Sequence, residues 1–349
     1  MSSYYKLQIK EVKRETTNAV SIAFQVPENL KPEYQFTAGQ YVNLKLTLDG
    51  KEIRRAYSIC TSPNSNELRI AVKAVHEGYF SKFANTSLKE GDIIEVGTPE
   101  GKFTFTPDAQ RQRNYAAFVA GSGITPVMAI LKSVLENEPK SSFVLVYGNK
   151  SVGETIFYQE LVALQQKYVG RFFVHFVFSQ TNESELFGRI DKATVNYILN
   201  NKHNEKEFAK FYLCGPEVMI DLVSATLKEH NIPEKSIKFE LFTTTSHENE
   251  AATSLSGHTK ITVLVDDEET TFEMSQKQTI LEAALKQGID APYSCQGGVC
   301  SSCLARVTTG SATMVKNAIL TDDEVNEGLV LTCQAHPTSA EIAVDYDDV

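Results

Sequence analysis

The sequence predicts three differently built parts in series: an all-β part, an α/β part with a parallel sheet, and a small α+β part. Three observations lead there. Short alternating runs fill residues 1–110, and continuous apolar runs alternate with helical patterns over 111–243. After a polar stretch at 244–258, residues 259–349 combine strands and one helix with four of the six cysteines. A chain of 349 residues has room for two or three domains, and 42% hydrophobic against 22% charged residues is enough to bury ordinary cores.

In the first part, KLQIKEV (6–12), AVSIAFQV (19–26) and YVNLKLTL (41–48) alternate at the period of a half-buried strand. Asp49-Gly50 is a hairpin turn signal, and LRIAVKAV (68–75) and DIIEVG (92–97) supply further strands. Strands at this spacing argue for a small barrel or sandwich. In the second part, apolar runs at 115–121, 143–148, 172–179 and 211–215 alternate with helical patterns at 126–137, 154–168 and 216–230, and 237–242 reads as a last strand. That alternation is the mark of a parallel sheet covered on both faces. Residues 244–258 are polar and aperiodic, as an inter-domain linker would be. The third part has strands at 260–265 and 271–274 and a helix at 279–287 closed by Gly288. Further strands are expected near 304–308, 329–332 and 341–344.

Charge is as uneven as architecture. The net charge is −10, and residues 260–349 alone hold 5 Lys+Arg against 15 Asp+Glu. A phosphate backbone needs a basic surface, so nucleic acid is a poor partner. The acidity either keeps a small domain in solution or steers it onto a basic partner. No apolar run approaches the roughly 20 residues of a membrane span, and the N-terminus lacks a signal sequence. A cytoplasmic protein is expected.

The strongest chemical signal is Cys295-x4-Cys300-x2-Cys303, followed 29 residues on by Cys333. This is the spacing of a plant-type [2Fe–2S] centre, in which each iron takes two thiolates beside the bridging sulfides. Zinc favours two closely spaced Cys pairs, and one such pair is present. Gly121-Ser122-Gly123-Ile124-Thr125-Pro126 follows a predicted strand and opens a predicted helix. Such a turn lets a dinucleotide's phosphates approach the backbone. Cys214-Gly215-Pro216 ends a later strand.

With these motifs in hand, the chain resembles the ferredoxin–NADP reductase family of flavoenzymes carrying a C-terminal plant-type ferredoxin domain. The order flavin, nucleotide, ferredoxin is similar to the reductase subunits of ring-1,2-phenylacetyl-CoA epoxidases and related oxygenase reductases. The resemblance implies an antiparallel FAD-binding β-barrel, a parallel-sheet NAD(P)-binding domain and a β-grasp [2Fe–2S] domain. It implies that Arg55 of Arg55-Ala56-Tyr57-Ser58 pairs with the FAD pyrophosphate, that Tyr57 lies against the isoalloxazine and that Ser58 bonds near its N5 edge. Gly78 and Ser81 of Gly78-Tyr79-Phe80-Ser81 would hold the diphosphate at a helix N-terminus. Gly121, Gly123, Thr125 and Pro126 would meet the coenzyme, and Cys214, with Gly215 and Pro216, would sit beside the nicotinamide. By the same resemblance, NAD(P)H delivers a hydride to FAD, electrons pass singly to the cluster, and a partner oxygenase receives them. That partner would be the di-iron phenylacetyl-CoA epoxidase of aerobic phenylacetate catabolism; another ring-hydroxylating or demethylating oxygenase is the alternative. A non-catalytic interaction protein with a structural zinc site is the reading from a different class.

NADPH-specific relatives place Ser-Arg after the third strand, whereas here the pair is Ser179-Gln180; Lys150 or Arg189 would have to substitute. NADH and NADPH both stay open. His76, His175 and His336 show no metal spacing and read as surface or satisfied core residues, and Cys60 reads as structural.

Overall fold

The computed structural model describes residues 3–48, 50–76, 78–242 and 257–349, which form two compact units, 3–242 and 257–349. Of the expected linker, residues 244–256 lie outside the described residues, and His258 already opens a strand.

In the first unit, β1 (Tyr4–Thr16), β2 (Ala19–Gln25), β3 (Tyr41–Leu48), β4 (Lys51–Ser58), β5 (Leu68–Lys73) and β6 (Ile93–Gly97) pair antiparallel in the order β4-β3-β6-β1-β2-β5. An Ile59↔Ile70 bridge, with Cys60 N–H bonded to Arg69 O at 2.9 Å, joins the end of β4 to β5. The sheet therefore closes on itself, which decides for a barrel over a sandwich. Alternation places Leu7, Ile9, Val20, Ile22, Val42, Leu44, Ile70 and Val72 in one core, and α1 (Tyr79–Thr86) adds Phe80 and Ala84. Leu48 pairs with Lys51 across the expected hairpin; Asp49 lies outside the described residues.

Next come β7 (Asn114–Ala120), α2 (Ile124–Asn137), β8 (Ser142–Asn149), α3 (Tyr158–Lys167), β9 (Phe172–Phe178), β10 (Leu186–Phe187), α4 (Lys192–Tyr197), β11 (Phe208–Cys214), α5 (Glu217–Glu229) and β12 (Ile237–Glu240). Their strands run parallel in the order β10-β9-β8-β7-β11-β12. The chain leaves β7 towards β8 and later returns to β7's other side with β11, so the switch point lies between β7 and β11. The helix expected over 154–168 starts at Tyr158, because a 3-10 turn at Val152–Glu154 and a left-handed Phe157 (φ 62°) precede it. Ala38, Phe103 and Phe105 of the barrel side share a core with Val127, Ile130 and Leu131 of α2 and Tyr115 of β7, which makes these parts one unit. Beneath that core Glu138 is fully buried and accepts from Tyr115 Oη (2.9 Å), Ser141 Oγ (2.7 Å) and Asp108 N–H (3.0 Å).

The second unit comprises β13 (His258–Val265), β14 (Glu268–Ser275), α6 (Ile280–Lys286), β15 (Leu304–Thr309), β16 (Ala312–Met314), α7 (Asp322–Asn326), β17 (Leu329–Leu331), β18 (Ala335–Pro337) and β19 (Glu341–Asp345). The main sheet runs β14-β13-β19-β15-β17, with β13 and β19 parallel. Helix α6 starts with a Thr279–Glu282 capping box, buries Ile280, Leu281, Ala283 and Ala284, and is followed by Gly288 at φ +80°. The acidic run 322–324 has a local reason: Thr321 and Glu324 form the capping box of α7. Among the described residues no helix is long and apolar enough to cross a membrane.

Candidate functional site

On the barrel, β4 presents Arg55, Tyr57 and Ser58. Arg55 is exposed, Tyr57 is partly exposed and Ser58 is buried. The Tyr57 ring lies 5.3 Å from Phe80 of the Gly78–Ser81 turn, so the structure brings the Arg55–Ser58 and Gly78–Ser81 segments together. Gly78 is required there, because a Cβ would run into the Ser81 side chain and come within 2.5 Å of Val75 Cγ2. Ser81 is the third residue of α1 and does not cap it. Its Oγ accepts from Val75 N–H (3.2 Å) and donates to Gly78 O (3.3 Å), folding the turn onto the helix start.

The nucleotide motifs meet at the switch point, outside the carboxyl ends of β7 and β11, where open α/β sheets bind ligands. Gly123 packs directly on the Cys214-Gly215 backbone: a Cβ would lie 2.5 Å from Cys214 C and 3.0 Å from Gly215 N. Gly121 takes φ +55° and its carbonyl accepts from Tyr147 Oη at 2.8 Å. Thr125 Oγ1 donates to Ser122 O at 3.0 Å, and Pro126 fills the first turn of α2. Pro216 caps α5. Burial pushes the Cys214 thiol well above its ordinary range, with the Glu240 carboxyl adding to the effect, so the thiol keeps its proton. At the ends of β8 and β9, Ser179 N–H bonds Asn149 O and Gln180 N–H bonds Lys150 O, both at 3.0 Å. Lys150 and Arg189 are exposed.

One residue escaped the sequence reading. Glu240 ends β12 opposite Cys214 in the β11–β12 register, and Ser58 Oγ donates to its Oε2 at 3.3 Å. It thereby links the Arg55–Ser58 segment to the Cys-Gly-Pro turn. Desolvation raises its carboxyl pKa to about 8, against the lowering effect of Ser58. The available signal was a single carboxylate inside the apolar run IKFELF.

In the second unit the four cysteines fall into two pairs. Cys295 and Cys300 have Sγ atoms 3.1 Å apart, and the free thiols of Cys303 and Cys333 share a hydrogen bond. Among the described residues no three His, Cys, Asp or Glu side chains converge as a single metal ion needs. Two thiol pairs offer two ligands to each of two irons. Gln296 and Gly298 take positive φ (52° and 71°), which wraps the loop and turns Gly297 N–H onto Cys295 Sγ at 3.3 Å. A Cβ on Gly298 would meet Lys316 O at 2.9 Å, so the loop is closed against the 316 segment. The Cys300 hydrogen bond draws the Cys295 thiol below its ordinary range against the effect of burial, and the N–H groups of Gly297, Val299 and Cys300 add to it.

The remaining candidates stay structural. Cys60 is buried, donates to Arg69 O at 3.2 Å and is pushed by burial to about 12. His175 Nε2 meets His203 Nε2 at 2.9 Å, a pair that sequence spacing could not show; burial lowers His175 to about 4. His336 bonds Gln276 O at 3.1 Å.

Comparison with known proteins agrees with this layout. An oxidoreductase FAD-binding domain matches residues 6–105, an oxidoreductase NAD-binding domain 118–225, and a 2Fe-2S iron-sulfur cluster binding domain 263–338. The chain is 39% identical to a subunit of the 1,2-phenylacetyl-CoA epoxidase of Escherichia coli (strain K12), over 99% of both chains. It is 30% identical to the ferredoxin reductase component of 3-ketosteroid-9-alpha-monooxygenase from Rhodococcus rhodochrous, over 97% of this chain and 96% of that one. Phthalate dioxygenase reductase shares the fold, with TM-score 0.62 and 23% identity over 98% of each chain. The chain belongs to the family of NAD(P)H-dependent FAD/[2Fe–2S] oxidoreductases that serve as reductase components of oxygenases.

Proposed function

We infer that this reductase supplies electrons to a di-iron phenylacetyl-CoA epoxidase in aerobic phenylacetate catabolism, in the cytoplasm. The observation that carries the reading is the 39% identity, over 99% of both chains, to a subunit of such an epoxidase. In this reading residues 1–110 bind FAD, 111–243 bind NAD(P)H, 244–258 link, and 259–349 hold the cluster. The family matches at 6–105, 118–225 and 263–338 support that division.

When bound, FAD accepts the hydride's electron pair and releases it one electron at a time, which the one-electron cluster requires. The chain's own residues arrange this. Arg55 offers a forked cation to the pyrophosphate, beside the Gly78–Ser81 turn. Tyr57 gives the isoalloxazine a flat apolar face. Ser58 and Glu240 share a hydrogen bond, and with its pKa raised to about 8 the Glu240 carboxyl holds a proton at neutral pH beside Ser58, the residue that would bond near the flavin's N5 edge. Gly121, Gly123, Thr125 and Pro126 admit the coenzyme's phosphates to the start of α2, and Cys214, with Gly215 and Pro216, bounds the nicotinamide side. Cys295, Cys300, Cys303 and Cys333 ligate the two irons.

The test is reconstitution with the oxygenase component of a phenylacetyl-CoA epoxidase. NAD(P)H-dependent oxygenation of phenylacetyl-CoA is expected, abolished by omitting this chain. Cluster reduction without any product would refute this partner. Running the assay with NADH and NADPH in parallel reads the coenzyme preference that Gln180 leaves open.

A further inference from the structure

Gln334 stands between Cys333 and β18, and its backbone is fixed on both sides. Its N–H donates to Leu331 O at 2.8 Å, and its carbonyl accepts from Val315 N–H at 2.9 Å. From this anchored position the side chain crosses to the loop that carries the other three cysteines. Its Cγ lies 3.0 Å from where a Cβ on Gly298 would be. Its Nε2 donates to Gln296 O at 3.0 Å and to Cys333 O at 3.1 Å. Cys303 does most to hold the Cys333 thiol below its ordinary range, and the Gln334 amide adds to it.

The bond to Gln296 reaches further than one carbonyl. Gln296 C=O and Gly297 N–H belong to the same planar peptide group, so fixing one end fixes the other. That N–H is the donor to Cys295 Sγ at 3.3 Å. Gln296 carries this peptide at φ 52°, a left-handed conformation that a residue with a Cβ adopts at a cost and keeps where its surroundings hold it. The Gln296 residue is exposed, so burial of its own side chain does not hold it there. The Gln334 amide does.

We propose that Gln334 is a positioning residue for the [2Fe–2S] centre: it clasps the three-cysteine loop to the segment that brings Cys333 and, through the Gln296–Gly297 peptide, keeps a donor on Cys295. Two segments tied in this way cannot drift apart, so the clasp slows loss of the cluster. The proposal rests on the reading that the four cysteines hold the cluster. A native chain without cluster after reconstitution overturns both, whereas the outcomes below bear on the clasp alone.

The experiment times the bleaching of cluster absorbance when reconstituted full-length chains meet an excess of iron chelator. Gln334→Met keeps the length of the side chain and its packing on Gly298 but has no donor. It should lose the cluster about fivefold faster than the native chain, the worth of one hydrogen bond. Adding Gln296→Gly, which takes φ 52° without strain, should bring the rate back to within about twofold of native. Gln296→Gly alone should change the native rate by less than about twofold, because Gln334 already holds the peptide. A role confined to packing, or to the Cys333 thiol, gives no such rescue. A native rate in Gln334→Met overturns the proposal, as does a failure of the rescue. So does an equal slowing by Gln296→Gly with and without Gln334, which would make the two positions independent. Should Gln334→Met purify without cluster, the double variant decides: a retained cluster supports the clasp, and an absent one overturns it.

Discussion

Gly123→Ala isolates the contact on which the proposed nucleotide site depends. Gly123 has φ −60°, which alanine adopts without strain, so the whole effect is steric. The new methyl would lie 2.5 Å from Cys214 C and 3.0 Å from Gly215 N, all of it against backbone. Ordinary carbon contact is roughly 3.5 Å, so the two turns must separate by about 1 Å. Overpacking of this kind costs about 1–3 kcal/mol of stability. A displacement of about 1 Å between reacting groups costs on the order of 100-fold in rate. Stopped-flow reduction of the bound flavin by NAD(P)H should therefore slow by about two orders of magnitude, with FAD content unchanged because the barrel is untouched. Gly121→Ala is the control. It strains a left-handed residue (φ +55°), but its methyl would find nothing nearer than Lys73 Nζ at 3.8 Å, so roughly 1 kcal/mol of stability is lost and the two turns stay in contact. Native flavin reduction in Gly123→Ala would refute the assignment of this contact to the coenzyme site.

Three further outcomes are expected. Cys333→Ala should lose the cluster absorbance yet keep the flavin bands and their reduction by NAD(P)H; a retained cluster would mean that Cys333 is not a ligand. Folding raises the Glu240 carboxyl from 4.5 to about 8, so the native state holds a proton there that the unfolded chain has released, and stability is lost as pH rises through 8. Glu240→Gln removes that dependence, so thermal melts at about pH 6 and about pH 9 should converge relative to the native chain; parallel curves would rule the effect out. Glu138→Ala strands the Tyr115, Ser141 and Asp108 donors and should destabilise the first unit by about 3 kcal/mol, read from denaturant unfolding, leaving the cluster spectrum unchanged.

What sequence reasoning reached and missed follows from the range of the interactions. Long strands and helices announced themselves through periodicity, and the cysteine spacing needed no structure because three ligands share one loop. The two-residue β10 and the six-residue α4 are too short to carry a period. Glu240 was missed because its meaning is a contact, Ser58 lying 182 positions away. Barrel closure was open for the same reason: the Ile59↔Ile70 bridge is a tertiary event, with no local residue pattern to mark it. The His175–His203 pair joins a strand to a distant turn, and neither histidine is informative alone.

The strand order has a consequence for how the molecule comes into being. β7 reaches β8 through a single helix, but it meets β11 only after β8, β9 and β10 have been traversed. Closing that long excursion is the entropically late step of the sheet. The crevice proposed to receive the coenzyme lies at this junction, so on that reading an incompletely folded chain has no coenzyme site to offer. On that reading, competence to take electrons from the nicotinamide arrives together with the finished sheet.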